Sequence, residues 1–252
     1  MIFTIDIAIH ILYNNDTTNQ RKDGTKMKSD NGFDLPVFLC EKHGGTYGNM
    51  EGLELDGSIW RKHYFDIIDG EDNPDMIGEA EISCLNLERM ADAGIGIDEA
   101  FDSISQEIAD YYEAIFTRSG KIRKNFLTNG VDEFAIDISG AFHVLEILHI
   151  GNVFKGHGLA KEVTKIYLQN FARNTDLVFF QAFPLQHSKN ERMVTRTTRV
   201  YMRDFVRNTE KADQAKLADY YERIGFPRIG KTEYFFGTAE HFLYCMRTAE
   251  TD

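Results

Sequence analysis

The sequence predicts an α/β fold, on the strength of three neighbouring features. An apolar run from Phe142 to Ile150, rich in large aliphatic side chains and too short for a typical helix, is typical of a buried strand. A glycine-spaced turn, Lys155 to Ala160, follows it. Apolar residues then recur at helical spacing, at Leu159, Val163, Ile166, Tyr167 and Phe171. Together they predict a strand, a turn and a helix.

Composition and charge limit the class of protein. Of the 252 residues, 42% are hydrophobic and only four are proline, which is the composition of a globular protein rather than of a disordered or fibrous one. A net charge of −12 argues against broad binding to nucleic acid or anionic membranes, and it favours a cationic substrate such as an amine. No apolar run approaches the length that spans a bilayer.

The cysteines and the N-terminal residues bear on location. Cys40, Cys84 and Cys245 are odd in number and too scattered for a disulfide framework or a zinc site, so the sequence predicts a reducing, cytoplasmic location. Met1–Tyr13 lacks the basic start of a signal peptide and is better explained as a strand. Asn14–Gly32 is polar and contains Asp-Gly and Asn-Gly pairs, which predict a loop after that strand.

The following elements can be predicted in chain order. Stretches rich in β-branched and aromatic residues predict antiparallel strands over Leu35–Cys40, Ile59–Ile68 and Ile77–Leu87. Asp98 offers an N-cap, and apolar residues at helical spacing then predict one helix that ends near Gly120. Four later strands are predicted, over Phe134–Ile138, Leu177–Phe183, Lys231–Phe236 and His241–Met246.

The glycine-spaced turn has the properties of a phosphate site. Gly156 and Gly158 have no Cβ, so the backbone can approach a ligand closely there. The turn also points several N–H groups and the positive end of a helix dipole at one place. Its spacing matches neither G-x-x-x-x-G-K-[ST] nor a complete G-x-G-x-x-G, which argues against a nucleoside triphosphate loop and a dinucleotide fold. A tight turn without a ligand is the alternative explanation.

Two motifs resemble those of a known superfamily. The stretch from Leu148 to Ala160, L-H-I-G-N-V-F-K-G-H-G-L-A, is similar to the acetyl-CoA motif of the GNAT superfamily of N-acyltransferases, commonly L-x-V-x-P-x-Y-[RQ]-G-x-G-[IL]-[GA]. Asn152 stands where proline is usual, and Lys155 where arginine or glutamine is usual. Further along, Leu217–Phe226 is similar to the family's A-x-x-[FY]-Y-x-x-x-G-F helix end. The resemblance covers roughly residues 142–236.

This resemblance implies the finer features of the fold. It implies a GNAT-like mixed, mostly antiparallel central sheet with splayed central strands, flanked by helices and preceded by a β-rich N-terminal extension. The chain is then a single domain over residues 1–252, with the extension at 1–75 and the acyltransferase core at 76–247. An insertion at 186–212 makes one connection longer than is usual in the family.

Five arginines in the insertion would share one face of a helix. They recur at spacings of four and three residues, at Arg192, Arg196, Arg199, Arg203 and Arg207. One explanation is a solvated face that pairs with the surplus carboxylates of the chain. The other is an anion site for the 3′-phosphate of coenzyme A, an acidic substrate group or RNA, because guanidinium groups match phosphate well.

The resemblance also implies acetyl-CoA as co-substrate, with no metal. Pantetheine would insert between the splayed strands and would be held by main-chain groups at the end of the motif strand, at Leu148, His149 and Ile150. The pyrophosphate would lie on N–H groups of the turn and of the helix start, at Lys155, Gly156, His157, Gly158, Leu159 and Ala160.

Two residues are candidates for proton transfer. The resemblance places the general acid at Tyr221, four residues before the motif glycine; the alternative is that Tyr221 only packs. Glu146 is the candidate base, because a carboxylate in an otherwise apolar strand is costly without a reason. The alternatives for Glu146 are a structural salt bridge or an edge position. His149 and His187 are reserve candidates.

The sequence thus predicts an enzyme that transfers an acetyl group from acetyl-CoA to a primary amine, by direct attack in a ternary complex. The predicted acceptor is a small-molecule or peptide amine, with no membrane partner, and a homodimer is compatible with the sequence. One alternative is a toxin or modifier that acetylates aminoacyl-tRNA or a protein amine. The other is a non-catalytic protein that binds acyl-CoA or a partner protein.

Overall fold

A six-stranded sheet forms the centre of the molecule. The computed structural model describes residues 37–41, 49–50, 53–54, 59–69, 75–151, 158–184, 187 and 209–249. The strands are β1 (Val37–Glu41), β2 (Asn49–Met50), β3 (Leu53–Glu54), β4 (Trp60–Asp69), β5 (Asp75–Asn86), β6 (Ala141–Ile150), β7 (Leu177–Gln181) and β8 (Tyr234–Thr238). The sheet has the order β1-β4-β5-β6-β7-β8, whereas β2 and β3 pair separately. Within the large sheet, only β6 and β7 are parallel.

Helices cover both faces of this sheet. They are α1 (Leu87–Asp92), α2 (Ile97–Ile104), α3 (Gln106–Ile115), α4 (Ala135–Ile138), α5 (Leu159–Phe171), α6 (Glu210–Arg223) and α7 (Ala239–Thr248), with a 3-10 turn at Lys124–Phe126. Helices α1 to α4 pack on the α3 face of the sheet, which carries Trp60, Phe142 and Phe179. Helices α5 to α7 pack on the α5 face, which carries Phe65 and Phe180. The predicted α/β class with a mostly antiparallel sheet is therefore confirmed.

Each central strand contributes side chains to both hydrophobic cores, because its side chains point alternately to the two faces of the sheet. Trp60 pairs with Leu85, and both belong to the core on the α3 face. Phe65 pairs with Ala80, and both belong to the core on the α5 face. Because successive side chains of a strand point to opposite faces, strands buried on both sides are apolar at nearly every position. This is why the apolar runs of the sequence located β6 and β7.

The predicted single helix after Asp98 is wrong in detail, because it is two helices. Ser105 has an extended backbone and ends α2. Its side chain then caps α3 by accepting a hydrogen bond from the Ile108 amide at 3.2 Å. Serine competes well for such a cap, and this local bond outweighs the continuous apolar spacing. The N-cap of α2 is Gly96, and Asp98 lies in the first turn.

Two predicted strands are also helices. Phe134–Ile138 contains the short helix α4, and Phe134 itself is 60% exposed. His241–Met246 lies in α7, whose N-cap Thr238 accepts a hydrogen bond from the His241 amide at 3.2 Å. The buried residues of α7 recur at helical spacing, at Ala239, Phe242, Leu243 and Met246. The predicted strand Met1–Tyr13 and the loop Asn14–Gly32 lie outside the described residues.

The motif glycine at the end of α6 has a steric role. Gly225 has φ +92°, a left-handed conformation that favours glycine. A Cβ at Gly225 would stand 2.5 Å from the Cys245 carbonyl oxygen and 2.9 Å from the Met246 Cα, both in α7. Only glycine allows α6 to end this close to α7.

We expect Gly225→Ala to lower the free energy of unfolding by about 3 kcal/mol, from left-handed strain plus the clash with α7. Gly230→Ala is the matched control, because Gly230 also has positive φ (+56°) but has no heavy atom within 4 Å of a Cβ. The control should lose only about 1 kcal/mol. Urea unfolding measures both variants, and equal losses would contradict the role assigned to the α7 contact.

Candidate active site

β6 separates from its parallel neighbour β7 part-way along the sheet. The two strands are in register only over 142–144 and 177–179. β6 nevertheless continues to Ile150, where it still pairs with Gly78 of β5. On its β7 side, the backbone over 145–150 has no strand partner in the part of the chain that the structure describes. This opening, called the β6–β7 gap below, is the splayed pair of central strands that the resemblance implied.

An extra residue in β6 marks the start of the gap. Leu145 pairs with Ile82 and Ile147 pairs with Glu81, so Glu146 lies between them without a partner in the β5 register. Such a β-bulge bends its strand and re-aims a side chain, and bulges recur next to active sites. The bulge therefore places the only carboxylate of β6 at the point where the strand leaves β7.

Glu146 is held from two sides by neighbouring strands. Its Oε2 lies 2.8 Å from the Lys62 Nζ of β4, and its Oε1 accepts a hydrogen bond from the Ser83 hydroxyl of β5. The Ser83 Oγ in turn accepts from the Trp60 indole at 3.3 Å. Lys62 also reaches the Glu81 Oε2 at 3.0 Å. The salt bridge that was the alternative explanation of Glu146 is thus observed, and it lies at the gap.

This charged network lies partly out of water. The side chains of Lys62 and Glu146 are only 18% and 10% exposed. Burial by itself lowers the pKa of Lys62, but Glu146 and Glu81 outweigh burial, and the net effect raises it. Burial raises the pKa of Glu81, with Lys62 opposing. Lys62 therefore carries its proton at every pH at which an acyltransferase would work.

Sequence reasoning missed Lys62 and Ser83. Their only signal is alternation, because Lys62 and Tyr64 of β4, like Glu81 and Ser83 of β5, are polar residues two apart. That pattern indicates a polar strip along one face of each strand. It does not say that Glu146, about sixty residues further on, completes the strip.

Helix α3 brings a third carboxylate, that of Glu107, to the same region. The Tyr111 hydroxyl donates to Glu107 Oε1 at 2.7 Å, and the Tyr111 ring packs on Phe179 of β7, with 5.0 Å between centroids. Burial raises the pKa of Glu107 and of Tyr111, and the charge of Glu146 adds to both shifts. Glu107 and Tyr111 were not predicted as site residues, although their spacing of four places them on one helix face.

Tyr221 lies on the opposite side of the sheet. Its ring packs against Phe180, Phe226 and Phe235 in the core of the α5 face, with centroid distances of 5.2, 5.4 and 5.8 Å. The residue is 9% exposed, and its hydroxyl has no hydrogen-bond partner among the described residues. Burial, with a smaller contribution from Tyr220, raises the pKa of Tyr221. The phenol is therefore protonated at neutral pH.

The predicted phosphate site is described only at its helical end. Gly158 is the N-cap of α5 in a left-handed conformation (φ +72°), without a side-chain cap. The first intrahelical bond runs from the Lys161 amide to the Gly158 carbonyl at 3.0 Å, so the amides of Leu159 and Ala160 precede it. No heavy atom lies within 4 Å of a Cβ built on Gly158. Lys155, Gly156 and His157 lie outside the described residues.

The predicted pantetheine segment follows the bulge. Leu148 and Ile150 pack against the core on the α5 face, whereas His149 is buried and pairs in register with Glu79 of β5. All three belong to the part of β6 that borders the gap. Their position agrees with a main-chain role, which remains a prediction.

The reserve candidate His187 lies away from the charged network. Its Nε2 is 2.9 Å from Asp213 Oδ2 in α6, an ion pair that ties the start of the insertion to that helix. Residues 188–208, which contain the arginine stripe, lie outside the described residues. Both explanations of the stripe therefore remain predictions.

A buried polar network holds β6 and β7 together at their paired ends. His143 contacts the Tyr167 hydroxyl through Nδ1 at 2.8 Å and Asp176 Oδ2 through Nε2 at 3.3 Å. Asp176 also accepts hydrogen bonds from the amides of Ala141 and Arg173. The network is fully enclosed, since His143 is 1% exposed. The network therefore joins the two strands just before the gap opens.

Among the described residues, no group of three or more His, Cys, Asp or Glu side chains is arranged to hold a metal ion. Cys84 and Cys245 are free thiols. None of the helices that the structure describes is long and apolar enough to cross a membrane.

Two solved structures align with parts of this chain at low identity. No protein-family model and no curated protein matches the chain. A chain in the crystal structure of the KacTA–DNA complex aligns with 78% of this chain and 74% of its own length, at 13% identity and a TM-score of 0.30. Arylalkylamine N-acetyltransferase 2 from Aedes aegypti aligns over 51% of this chain and 54% of its own, at 18% identity and a TM-score of 0.25. Conclusions about the site therefore come from the residues of this chain.

The buried network predicts a pH dependence of stability. Burial alone lowers the pKa of His143, but Cys84 and Asp176 outweigh burial and raise it to about 9, above its unfolded value. A raised pKa means that the contribution is complete at acidic pH below the unfolded value and is lost as pH rises through about 9. We expect His143→Gln to cost up to about 3 kcal/mol at pH 6 and clearly less at pH 10.

Urea unfolding of both proteins at each pH tests this expectation. Taking the difference between parent and variant cancels the titration of distant groups. A cost that stays constant from about pH 6 to pH 10 would show that His143 is not charged in the folded state.

Proposed function

We propose that this protein is an N-acetyltransferase that moves an acetyl group from acetyl-CoA to a primary amine, by direct attack in a ternary complex. The β6–β7 gap carries the proposal, because it opens at the Glu146 bulge, and beyond this point β6 pairs with β5 but, among the described strands, no longer with β7. The gap also adjoins the helix that begins at Gly158. We further propose residues 76–247 as the acyltransferase core, and a small-molecule or peptide amine as acceptor.

The residues around the gap fit coenzyme A. The open edge of β6 presents N–H and C=O groups that can bond the two amides of pantetheine, as an added strand would. The start of α5 offers amide N–H groups and a positive dipole for the pyrophosphate, and Gly158 leaves room for close approach. Acetyl-CoA supplies the acetyl group as an activated thioester. The task of the chain is to hold and orient it.

The two candidate proton-transfer residues belong to opposite faces of the sheet. Glu146 accepts a hydrogen bond from Ser83. Ser83 pairs in register with Val144, which belongs to the core on the α3 face. Tyr221 belongs to the core on the α5 face. In a continuous sheet, paired backbone would separate them, and only the gap offers a path between the two. This arrangement supports transfer within the gap, with the amine arriving from the α3 face.

Each residue then has a defined part in the reaction. The amine nitrogen forms a bond to the thioester carbon, and the carbon–sulfur bond breaks. Glu146 takes the proton of the attacking amine, directly or through water. Tyr221, whose pKa is raised by burial, is protonated and donates to the departing sulfur. The carboxylates Glu81 and Glu107 nearby favour a cationic acceptor over a neutral or anionic one.

We expect acetyl-CoA to bind the parent protein and raise its melting temperature. Gly158→Val should abolish this binding, because its side chain would occupy the space left for the pyrophosphate. Isothermal titration calorimetry with acetyl-CoA measures the affinity of both proteins.

Gly94→Val is the matched control for backbone strain. Gly94 has nearly the same positive φ (+69° against +72°), and it too has no heavy atom within 4 Å of a Cβ. Both variants should lose about 1 to 2 kcal/mol of stability, and only Gly158→Val should lose affinity. If Gly158→Val folds and binds acetyl-CoA with unchanged affinity, the cofactor does not bind at this site.

Tyr221→Phe should lower turnover about a hundredfold while it preserves the fold and the affinity for acetyl-CoA. The ring contacts remain, and the lost hydroxyl makes no hydrogen bond among the described residues. Tyr220→Phe is the control, since Tyr220 is the neighbouring tyrosine in α6. Steady-state rates with spermidine, phenethylamine and a tripeptide as acceptors measure the effect. If Tyr220→Phe is impaired and Tyr221→Phe is fully active, the general acid is Tyr220 and not Tyr221.

A further inference from the structure

Lys62 is the charged group around which the candidate base is arranged. It is the only cation that contacts Glu146 among the described residues, and it bridges Glu146 and Glu81 at 2.8 and 3.0 Å. The three residues come from three adjacent strands, β4, β5 and β6. The strand that supplies Lys62 is separated from the acetyl-CoA motif by some eighty residues of sequence. Nothing in the motifs points to it.

We propose that Lys62 is a positioning residue for the reaction: it fixes one oxygen of Glu146 and keeps this carboxylate charged at the gap, and it thereby sets the lower pH limit of acetyl transfer. The inference rests on the proposed function. It assigns Lys62 no contact with substrate, since its role is exerted through Glu146.

The geometry divides the two oxygens of Glu146 between two different tasks. Oε2 faces the Lys62 ammonium, and Oε1 accepts from the Ser83 hydroxyl, which is itself fixed by the Trp60 indole. Ser83 fixes direction without adding charge, whereas Lys62 does both. Each oxygen retains a further lone pair with which to accept a proton or a water.

The charges around Glu146 give the sign of the effect. From β4 it faces Lys62, from β5 Glu81, and from α3 the Glu107 and Tyr111 pair. Without Lys62, every remaining titratable neighbour of Glu146 is acidic. The carboxylate would then bind a proton more readily, and a protonated Glu146 cannot accept one from the amine.

The position of the Lys62–Glu146 ion pair is explained better by a role in function than by a contribution to stability. A partly buried ion pair is a weak source of stability, because desolvation cancels much of the attraction and apolar replacements are often neutral. Most of the sheet interior is apolar, and the pair stands where β6 leaves β7. A Lys62 ammonium retained at this position is explained by the charge that it imposes on Glu146.

The decisive experiment compares pH profiles of kcat/KM between about pH 5 and 9 for the parent, Lys62→Met, Lys62→Arg and Ser83→Ala, with acetyl-CoA and the amines named above. Lys62→Met should shift the acid limb upward by about one pH unit, without a change in affinity for acetyl-CoA. Lys62→Arg restores the charge and should restore the limb. Ser83→Ala should lower kcat and shift the limb less than Lys62→Met does, because it removes a hydrogen bond from Glu146 but no charge. Arg61→Met is the control, because Arg61 is an exposed neighbour on the other face of β4.

The outcomes separate this proposal from the proposed function. A parent without acetyl-CoA binding or turnover contradicts the proposed function, and the role of Lys62 with it. A parent that turns over, beside a slower Lys62→Met with an unmoved acid limb, overturns the role of Lys62 alone. If Lys62→Met does not fold, Lys62→Arg still decides: an acid limb that shifts although the charge at position 62 is kept contradicts control by that charge.

Discussion

A strand with two neighbours normally pairs with both along its whole length, and β6 does not. It follows β5 to Ile150 but leaves β7 after Val144. At the paired end, the enclosed contacts of His143 with Tyr167 and Asp176 hold the two strands together. At the other end, the Glu146 bulge bends β6 away. The buried network of His143 and the bulge at Glu146 lie a few residues apart on β6, and together they determine where the sheet opens.

The opening joins two environments that the sheet otherwise keeps apart. On the α3 face, Lys62 and the carboxylates of Glu81, Glu107 and Glu146 form a polar strip with little access to water. On the α5 face, Tyr221 packs among phenylalanine rings. The two surroundings act differently on ionisable groups, because burial stabilises the neutral form and a counter-ion stabilises the charged one.

The sequence was informative wherever a residue acts through its own backbone or its periodicity. The apolar run of β6 and the helical spacing of α5 each carry their structural reason locally, and these two elements were predicted correctly. Ser105 and Thr238 show the limit, because a single side-chain cap redirected the chain against the apolar pattern. Lys62 and Ser83 were beyond reach for another reason. Their importance comes from register between strands, and register depends on the bulge at Glu146, which no local pattern announces.

The strand order also bears on how the protein is made. From β4 to β8 the strands of the sheet follow one another in the order of the chain, and each new strand is added beside the last. A ribosome that releases the chain from its N-terminus therefore presents every strand next to an edge that already exists. The contacts that must wait longest are those of α7, the last helix, with Gly225 and the core of the α5 face. The core on the α5 face is thus completed only after α7 has been synthesised.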